Sequence, residues 1–402
     1  MAVSNDLLTD RRVARHCAAL QEAGYAVTAV GFASDECAVR SVELDCATNN
    51  SSLLTPHSSL LGLRWHKGWR FYAELNLKLA RRLPKMNPDV VWANDTDTLL
   101  GCWMAVRRLR CRGRRVKLVM DAHELFPEVP EIQHKPLVKL VWRTIERWLM
   151  PKCDAMLTVC RSIADYYKAK YGVEMEVVRN LSSSEFGVKN SELADATNNS
   201  SLLTPHSSPK PLSTLLYQGA VNLGRGVDWA IDALEWLPQC RLVVAGGGDL
   251  LEQMKAYAAA KPWAERVTFL GRLAPQELAK VTAQADVGLV MLEDMGLSYH
   301  FALPNRIGDF VAAGVPMVVS DLPEMAAVVR RFGVGEVIES SESGVRSSEL
   351  AKAVERVLAR TWSEEDFAEA RKDMDWKKEK SKLLECLNVS MLEYSGTQTI
   401  KQ

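Results

Sequence analysis

No stretch of this 402-residue sequence approaches the roughly 20 consecutive apolar residues that a membrane-spanning helix needs. The opening, MAVSNDLLTDRR, lacks the apolar core of a secretory signal, so export by that route is not expected. An excess of charge of one sign is missing too. Fifty Lys+Arg balance 50 Asp+Glu, and the formal net charge is zero, so bulk charge selects no partner. Nine cysteines are present, but no two stand at CxxC or other metal-ligand spacing. That argues against a zinc framework and for reduced thiols in a cytosolic protein. The core is not short of material. Hydrophobic residues make up 47% and charged residues 25%, the balance of a globular protein, in a length that accommodates two domains.

The balance of charge conceals a gradient. Residues 1–180 carry 27 Lys+Arg against 20 Asp+Glu, and the remainder carries 23 against 30. The N-terminal half is therefore the candidate for an anionic partner.

One string occurs twice. ATNNSSLLTPHSS runs from Ala47 to Ser59 and again from Ala196 to Ser208. Upstream the likeness extends to Glu43/Glu192 and Leu44/Leu193, and downstream it stops at once. A duplicated domain would leave a diffuse likeness over a hundred residues or more. A short identical block with unrelated flanks reads instead as one inserted element in two places. Its Asn, Ser, Thr and Pro carry no helix or strand period, so the expectation is two exposed loops that tolerate lengthening. Asn49-Asn50-Ser51 is a glycosylation sequon, for which a cytosolic protein has no use.

Elsewhere strand and helix signals alternate. VARHCAALQEAG reads as an amphipathic helix closed by Gly24, and YAVTAVGF as a buried strand. PDVVWAND, KLVMDAHE and DAMLTVC read as further strands, the first two ending in polar residues, and RSIADYYKAKYG as a helix. Residues 179–212 form a polar stretch, read as a linker with the second insert. The alternation restarts with STLLYQGAV, VDWAIDALEWL, RLVVAGGG, ELAKVTAQA, DVGLVML, PNRIGDFVAAG and VPMVVSD. DWKKEKSKLLECLNVSMLEY reads as a long last helix. Such alternation implies an α/β chain with two parallel, doubly wound sheets. Ligands of these sheets sit at the carboxyl ends of strands, which puts Asn94, Asp95, Asp121, His123 and Glu124 on one rim. Only Met1, Ala2 and Val3 precede the first polar turn, so the first strand is expected to be short or to begin late.

The segment LPNRIGDFVAAGVPMVVSD (303–321) carries the most specific chemistry. Pro304 suits a helix start, where its missing N–H costs nothing. The free N–H groups and dipole of that helix end favour an anion. Arg306 adds a fixed fork of donors suited to phosphate. Asp309, a turn later, suits ribose hydroxyls. In YQGAVNLGRGVDWAI, Gly219 ends a strand and Arg225 precedes a helix. Either arginine alone could be a solvated loop residue, but two at two helix starts fit a diphosphate. His123 in DAHE can donate a proton or a hydrogen bond, or it can merely cap a strand end. Asp121 and Glu124 are weaker candidates. Asp95-Thr96-Asp97 has the DxD form of a divalent-metal chelator. Two arginines and a helix dipole can carry a diphosphate without a metal, so no metal and no cofactor are expected.

These residues carry a resemblance. In order, SNDLLTDRRVARHCAALQEAGYAVTAVG, DVVWANDTDTLL, VKLVMDAHELFPEVPE, GRGVDWAIDAL, RLVVAGGGDL, VTFLGRLAPQELAKVTAQADVGLVML and LPNRIGDFVAAGVPMVVSD resemble a family 4 glycosyltransferase of the GT-B fold. The likeness covers nearly the whole chain apart from the two inserts, and its subgroup has an LPN-Arg/Lys segment. It implies two Rossmann-like domains facing across a cleft: an acceptor domain over 1–178, a linker over 179–212 and a donor-nucleotide domain over 213–372. A C-terminal helix over 373–402 is expected to cross back to the first domain. The donor is then a nucleotide-sugar and the acceptor a hydroxyl of a glycan or lipid-linked molecule. Arg225 and Arg306 match the family's two phosphate-binding positions, with Gly219, Pro304 and Asn305 beside them. Asp309 takes the place of the second Glu of a Glu-x7-Glu motif. The first would fall at Phe301 and is absent, which leaves His300 or backbone groups to meet the sugar. The arginine often found after the strand-ending glycine is absent too, with Ala220 in its place. His123 resembles the family's active-site histidine. DxD metal chelation belongs to a different glycosyltransferase fold. Retention of the donor's anomeric configuration follows from the resemblance alone.

Two basic segments bear on the partner. Residues 64–85 hold seven Lys+Arg and one Glu, with Trp65, Trp69, Phe71 and Tyr72 interleaved, and residues 106–117 hold seven basic residues and no acid. Such segments suit peripheral contact with an anionic membrane, at the inner face of the cell membrane for a cytoplasmic protein in polysaccharide biosynthesis. The plainer reading is a solvated basic face over a buried aromatic one. No nucleic-acid module accompanies the charge, so nucleic acid is not expected. Two other functions stay open: a sugar-nucleotide epimerase of the same fold, and a degenerate, non-catalytic binder of nucleotide-sugars.

Overall fold

The computed structural model describes residues 1–6, 10–32, 58–181, 212–338 and 346–395. The chain divides into two compact units, one of Met1–Asn180 with Lys378–Gln402, the other of Leu181–Lys377.

The first unit holds a seven-stranded sheet in the order β3-β2-β1-β4-β5-β6-β7. The strands are β1 (Ala2–Asp6), β2 (Ala29–Phe32), β3 (Ser58–Leu60), β4 (Val90–Asn94), β5 (Lys117–Ala122), β6 (Ala155–Thr158) and β7 (Glu176–Val177). All neighbours pair parallel. The opening residues form a five-residue strand in the sheet interior. Ala2 pairs with Val30 on one side and Ala93 on the other, and the Asn94 side chain donates to the Ala2 carbonyl at 2.8 Å. Asn94, expected on the ligand rim, is thus 2% exposed and bonded to the backbone of the neighbouring strand. β2 begins at Ala29, four residues later than the apolar run suggested. The first copy of the repeated string lies outside the described residues but for its last two. Ser58 and Ser59 do not continue a loop: they pair with Ala29 and Val30 at the sheet edge. An edge strand makes its ladder from backbone groups, so serines serve there. The second copy lies wholly outside the described residues.

The second unit holds a six-stranded parallel sheet in the order β10-β9-β8-β11-β12-β13. These are β8 (Ser213–Gln218), β9 (Cys240–Ala245), β10 (Val267–Gly271), β11 (Val287–Val290), β12 (Met317–Ser320) and β13 (Gly335–Ile338). Alternate residues go to opposite faces, and both faces are buried, so the strands read as continuous apolar runs. Leu215 and Tyr217 join Leu242, Val244 and Leu289 against the Val227–Ala233 and Arg346–Ala359 helices. Leu216 joins Val243, Val290 and Val319 against the Arg306–Ala313 and Pro323–Phe332 helices. Both units are therefore Rossmann-like α/β layers, as the alternation implied. The last helix, Trp376–Ser395, belongs from Lys378 onward to the first unit. There Glu379 is buried and takes the Arg179 guanidinium at 2.8 Å.

Candidate functional site

In the second unit the site begins where β8 ends. Gly219 follows with φ +133, a conformation L side chains rarely adopt, and its N–H donates to the Ala245 carbonyl at 2.9 Å. β9 ends at Ala245 and runs into Gly246-Gly247-Gly248. A Cβ on Gly246 would stand 1.8 Å from the Gly219 carbonyl oxygen, so the two loops meet because residue 246 is glycine, while a Cβ on Gly219 would stand 2.9 Å from Arg306 Nη1. The Val221 N–H then donates to the Gly247 carbonyl at 3.0 Å.

Two guanidinium groups converge beside this turn. Arg306 is the first residue of the Arg306–Ala313 helix and is 6% exposed. Its Nη1 donates to the Gln218 carbonyl at 2.9 Å and its Nη2 to the Met291 carbonyl at 3.4 Å, while its carbon lies 4.9 Å above the Tyr217 ring. Its Nε is buried without an acceptor among the described residues. Arg225 donates from Nε to the Tyr299 hydroxyl at 3.1 Å and lies 4.7 Å over that ring. Burial lowers the Arg306 pKa, Tyr217 opposes that, and the Arg225 charge lowers it further, so each cation feels the other. Among the described residues neither guanidinium has a carboxylate at ion-pair distance. A buried cation satisfied only by dipoles, beside a second cation, is stabilised by an arriving anion.

The other residues read from the sequence fall around this pair. The helix starts at Arg306 with Asn305 as its N-cap, so Pro304 precedes the cap rather than opening the helix. The Pro304 carbonyl still accepts from Ile307 N–H at 3.1 Å. Asp309 is already engaged: its Oδ2 accepts from Gln218 Nε2 at 2.9 Å, and Gln218 Oε1 accepts from the Thr282 hydroxyl at 2.7 Å. Gln218 thereby orients the carboxylate. His300 pairs with Asp294 at 2.8 Å on the surface, its ring against Phe301 at 5.0 Å. Sequence reasoning missed Gln218, Tyr217 and Tyr299. Gln218 and Tyr217 look like ordinary strand residues, and Tyr299 lies 74 positions from its partner Arg225.

In the first unit a different kind of site lies at the carboxyl ends of β4 and β5. Asp121 is fully buried and surrounded by donors. Arg12 Nη2 and Nε reach its two oxygens at 2.6 and 3.1 Å, His16 Nδ1 stands at 3.2 Å and His123 Nε2 at 3.4 Å. Burial pushes this carboxyl up, but the Arg12 guanidinium and His123 outweigh it and hold Asp121 well below the usual carboxylate range. Asp95 takes the other side of His123: it accepts from the His123 N–H at 2.7 Å and faces Nδ1 at 3.2 Å. Burial opposes protonation of His123, yet the two carboxylates raise its pKa to about 9. Burial and Arg12 lower His16 to about 4, so it stays neutral. Asp95 holds this position with φ +59 and ψ 166, a strained conformation for a residue other than glycine and of the kind that clusters at functional sites. Asp95 was expected on the ligand rim, in a DxD string for which no metal was expected. The structure gives Asp95 to His123, and burial raises Asp97 to about 8. Among the described residues no cluster of His, Cys, Asp or Glu is arranged to hold a metal ion. Glu124 lies part-exposed beside this group.

The basic segments divide. In 64–85, Phe71 is buried while Trp69 is 75% and Trp65 39% exposed. In 106–117 much of the charge is spent within the unit. Lys117 is 3% exposed inside β5, Arg110 pairs with Asp154, Arg114 with Asp89, and Arg108 donates to the Ala80 carbonyl.

Comparison with known proteins agrees with this layout. The family profile described as Glycosyltransferase Family 4 matches residues 9–181, and that described as Glycosyl transferases group 1 matches residues 213–360. Phosphatidyl-myo-inositol mannosyltransferase of Mycobacterium leprae is 26% identical over 174 residues, 42% of this chain and 44% of that protein. Chitobiosyldiphosphodolichol beta-mannosyltransferase of Candida albicans is 24% identical over 262 residues, 61% of this chain and 55% of that protein. The chain thus spans about half the length of the curated relatives it matches. Among solved structures, Anabaena HepE in complex with UDP and glucose superposes with a TM-score of 0.70 at 15% identity, covering 96% of this chain and 98% of that one.

Proposed function

The chain belongs to glycosyltransferase family 4, and on that premise we propose that it moves a sugar from a nucleotide-sugar to a hydroxyl acceptor. The observation that carries the reading is the pair Arg306 and Arg225, two guanidiniums held by carbonyls and a tyrosine hydroxyl beside the Gly219 turn. Their unspent charge suits a diphosphate. Gly219, Pro304 and Asn305 leave backbone room beside it, at the start of the Arg306–Ala313 helix. Asp309, oriented by Gln218, suits the ribose hydroxyls, and His300 or backbone groups near Phe301 the donor sugar.

In the proposed reaction the bond from the anomeric carbon to the diphosphate oxygen breaks, and the oxygen keeps the electron pair. Arg225 and Arg306 stabilise the charge that develops there, the effect expected to dominate. An acceptor hydroxyl bonds to the same carbon on the same face, and its proton passes to the departing phosphate oxygen. This course retains configuration and needs no metal. His123 is proposed to donate to the sugar or leaving oxygen; Nε2 would exchange its 3.4 Å contact with Asp121 to do so. The relatives named above act, by their names, on a phosphatidylinositol and a dolichol-linked sugar, which supports a lipid-linked or glycan acceptor here. A cytoplasmic place with peripheral contact between residues 64–85, and to a lesser degree 106–117, and an anionic membrane belongs to the same reading. No helix among the described residues is long and apolar enough to cross a membrane.

The test is release of nucleoside diphosphate with and without acceptor. Release that requires acceptor, with sugar appearing on it, supports the reading. Isomerised donor without acceptor would make the chain an epimerase, and no turnover with retained binding a non-catalytic binder.

A further inference from the structure

The Pro136–Leu149 helix, PLVKLVWRTIERWL, buries its one acid and turns much of its apolar surface outward. Trp142, Glu146 and Leu149 are buried, while Leu137 is 77%, Leu140 61%, Val141 56% and Trp148 53% exposed. At 100° per residue, Leu137, Val141 and Trp148 share one line, with Leu140 on its flank. The rotation is fixed from within. Glu146 accepts from the hydroxyls of Thr96, Tyr167 and Tyr171, each at 2.9 Å. Trp142 packs on Tyr72 and Phe126 at 5.0 Å. Turning Leu137 and Leu140 inward would expose Trp142 and Leu149 and strand three hydroxyls, so the outward apolar line is what this fold enforces. An exposed line of this kind ordinarily marks a partner.

The margin identifies the partner. Arg147 is exposed on the helix and Lys135 precedes it, while Arg143, exposed too, is held by Glu128 at 2.6 Å. At its far end Lys152 Nζ lies 3.9 Å over the Trp148 ring, and Trp148 meets Trp103 at 4.9 Å. One turn before Tyr72, whose ring meets Trp142, Trp69 stands 75% exposed, and Arg70 lies 4.6 Å over Trp65. Aliphatic side chains flanked by tryptophans and cations, with no exposed acid on the helix, match the boundary between headgroups and acyl chains of an anionic bilayer. We propose that the outer face of the Pro136–Leu149 helix, Trp148 included, is the element that inserts into an anionic membrane surface, with Trp69 as a further aromatic contact. The inference rests on the reading of this unit as membrane-facing and not on donor binding, so the two fail separately.

The test is co-sedimentation of the full chain with vesicles of phosphatidylcholine alone and of phosphatidylcholine with phosphatidylglycerol. The comparison is with Leu137→Ser/Leu140→Ser/Val141→Ser, whose sites are exposed and whose thermal unfolding and nucleotide response should match wild type. The expected result is binding of wild type to the anionic vesicles only, with partitioning reduced at least tenfold in the variant. Equal binding by the variant overturns the proposal, as does wild type that ignores anionic vesicles. A dimer in solution that the same substitutions dissociate also overturns it, since the face would then belong to a second copy.

Discussion

The two units solve the burial of charge in opposite ways. In the first, Asp121 is closed in by Arg12, His16 and His123, and His123 is answered again by Asp95. Charge there is compensated within the chain. In the second, Arg306 is nearly as buried but bonds only to carbonyls, with Arg225 near enough to repel it. Cations compensated by carboxylates stabilise a fold, whereas cations left to dipoles are ready for a ligand. The second unit thus keeps charge for an anion, and the first keeps His123 fixed between two carboxylates.

The sharpest way to break the comparison is to truncate one arginine on each side. Arg12→Ala leaves Asp121 buried without its main partner. That should cost about 3–5 kcal/mol and lower the first thermal transition by roughly 10 °C, seen by calorimetry. Arg306→Ala should hardly move that transition but lower kcat/KM by about a hundredfold or more, with Arg225→Ala costing at least tenfold. Matching effects of Arg12→Ala and Arg306→Ala on stability would erase the distinction.

His123 gives a second, smaller contrast. Its pKa is raised in the fold to about 9 from the ordinary 6.5. The stability this supplies is present below pH 6.5 and lost as pH rises through 9. It amounts to at most about 3 kcal/mol, since the ring keeps some contact with water. Unfolding followed from pH 6 to pH 10 should show that slope, and Asp95→Asn should flatten it. The smallest effect belongs to Asp97, whose pKa of about 8 keeps it protonated at neutral pH. Asp97→Asn should leave activity within about twofold, because an amide closely replaces a neutral carboxyl. A loss of orders of magnitude would restore the metal reading of Asp95-Thr96-Asp97.

Much of this was legible in the sequence because period and punctuation are local. The strand–helix alternation located both sheets, and PNR and GRG placed Arg306 and Arg225 at helix starts. Partnerships across the sheet were not legible. Asn94 is polar and ends a strand, so it reads as a rim residue, yet its amide closes onto Ala2, 92 positions away. Asp95 reads as a rim residue within a DxD string, because nothing local reveals the backbone twist that turns it to His123. The outward leucines of the Pro136–Leu149 helix were missed for a related reason. An amphipathic pattern fixes two faces but not which one looks inward, and here the hydroxyls of Thr96, Tyr167 and Tyr171 decide it.

The most direct test of the central claim is thermal unfolding with UDP, GDP, ADP and CDP, for wild type and for Arg225→Ala/Arg306→Ala. A ligand at about a hundred times its Kd adds roughly 2.7 kcal/mol. One nucleotide is expected to raise the wild-type transition, and the double variant to lose the shift while keeping its own transition near that of wild type. A shift that survives in the double variant, or none with any nucleotide, would contradict the claim.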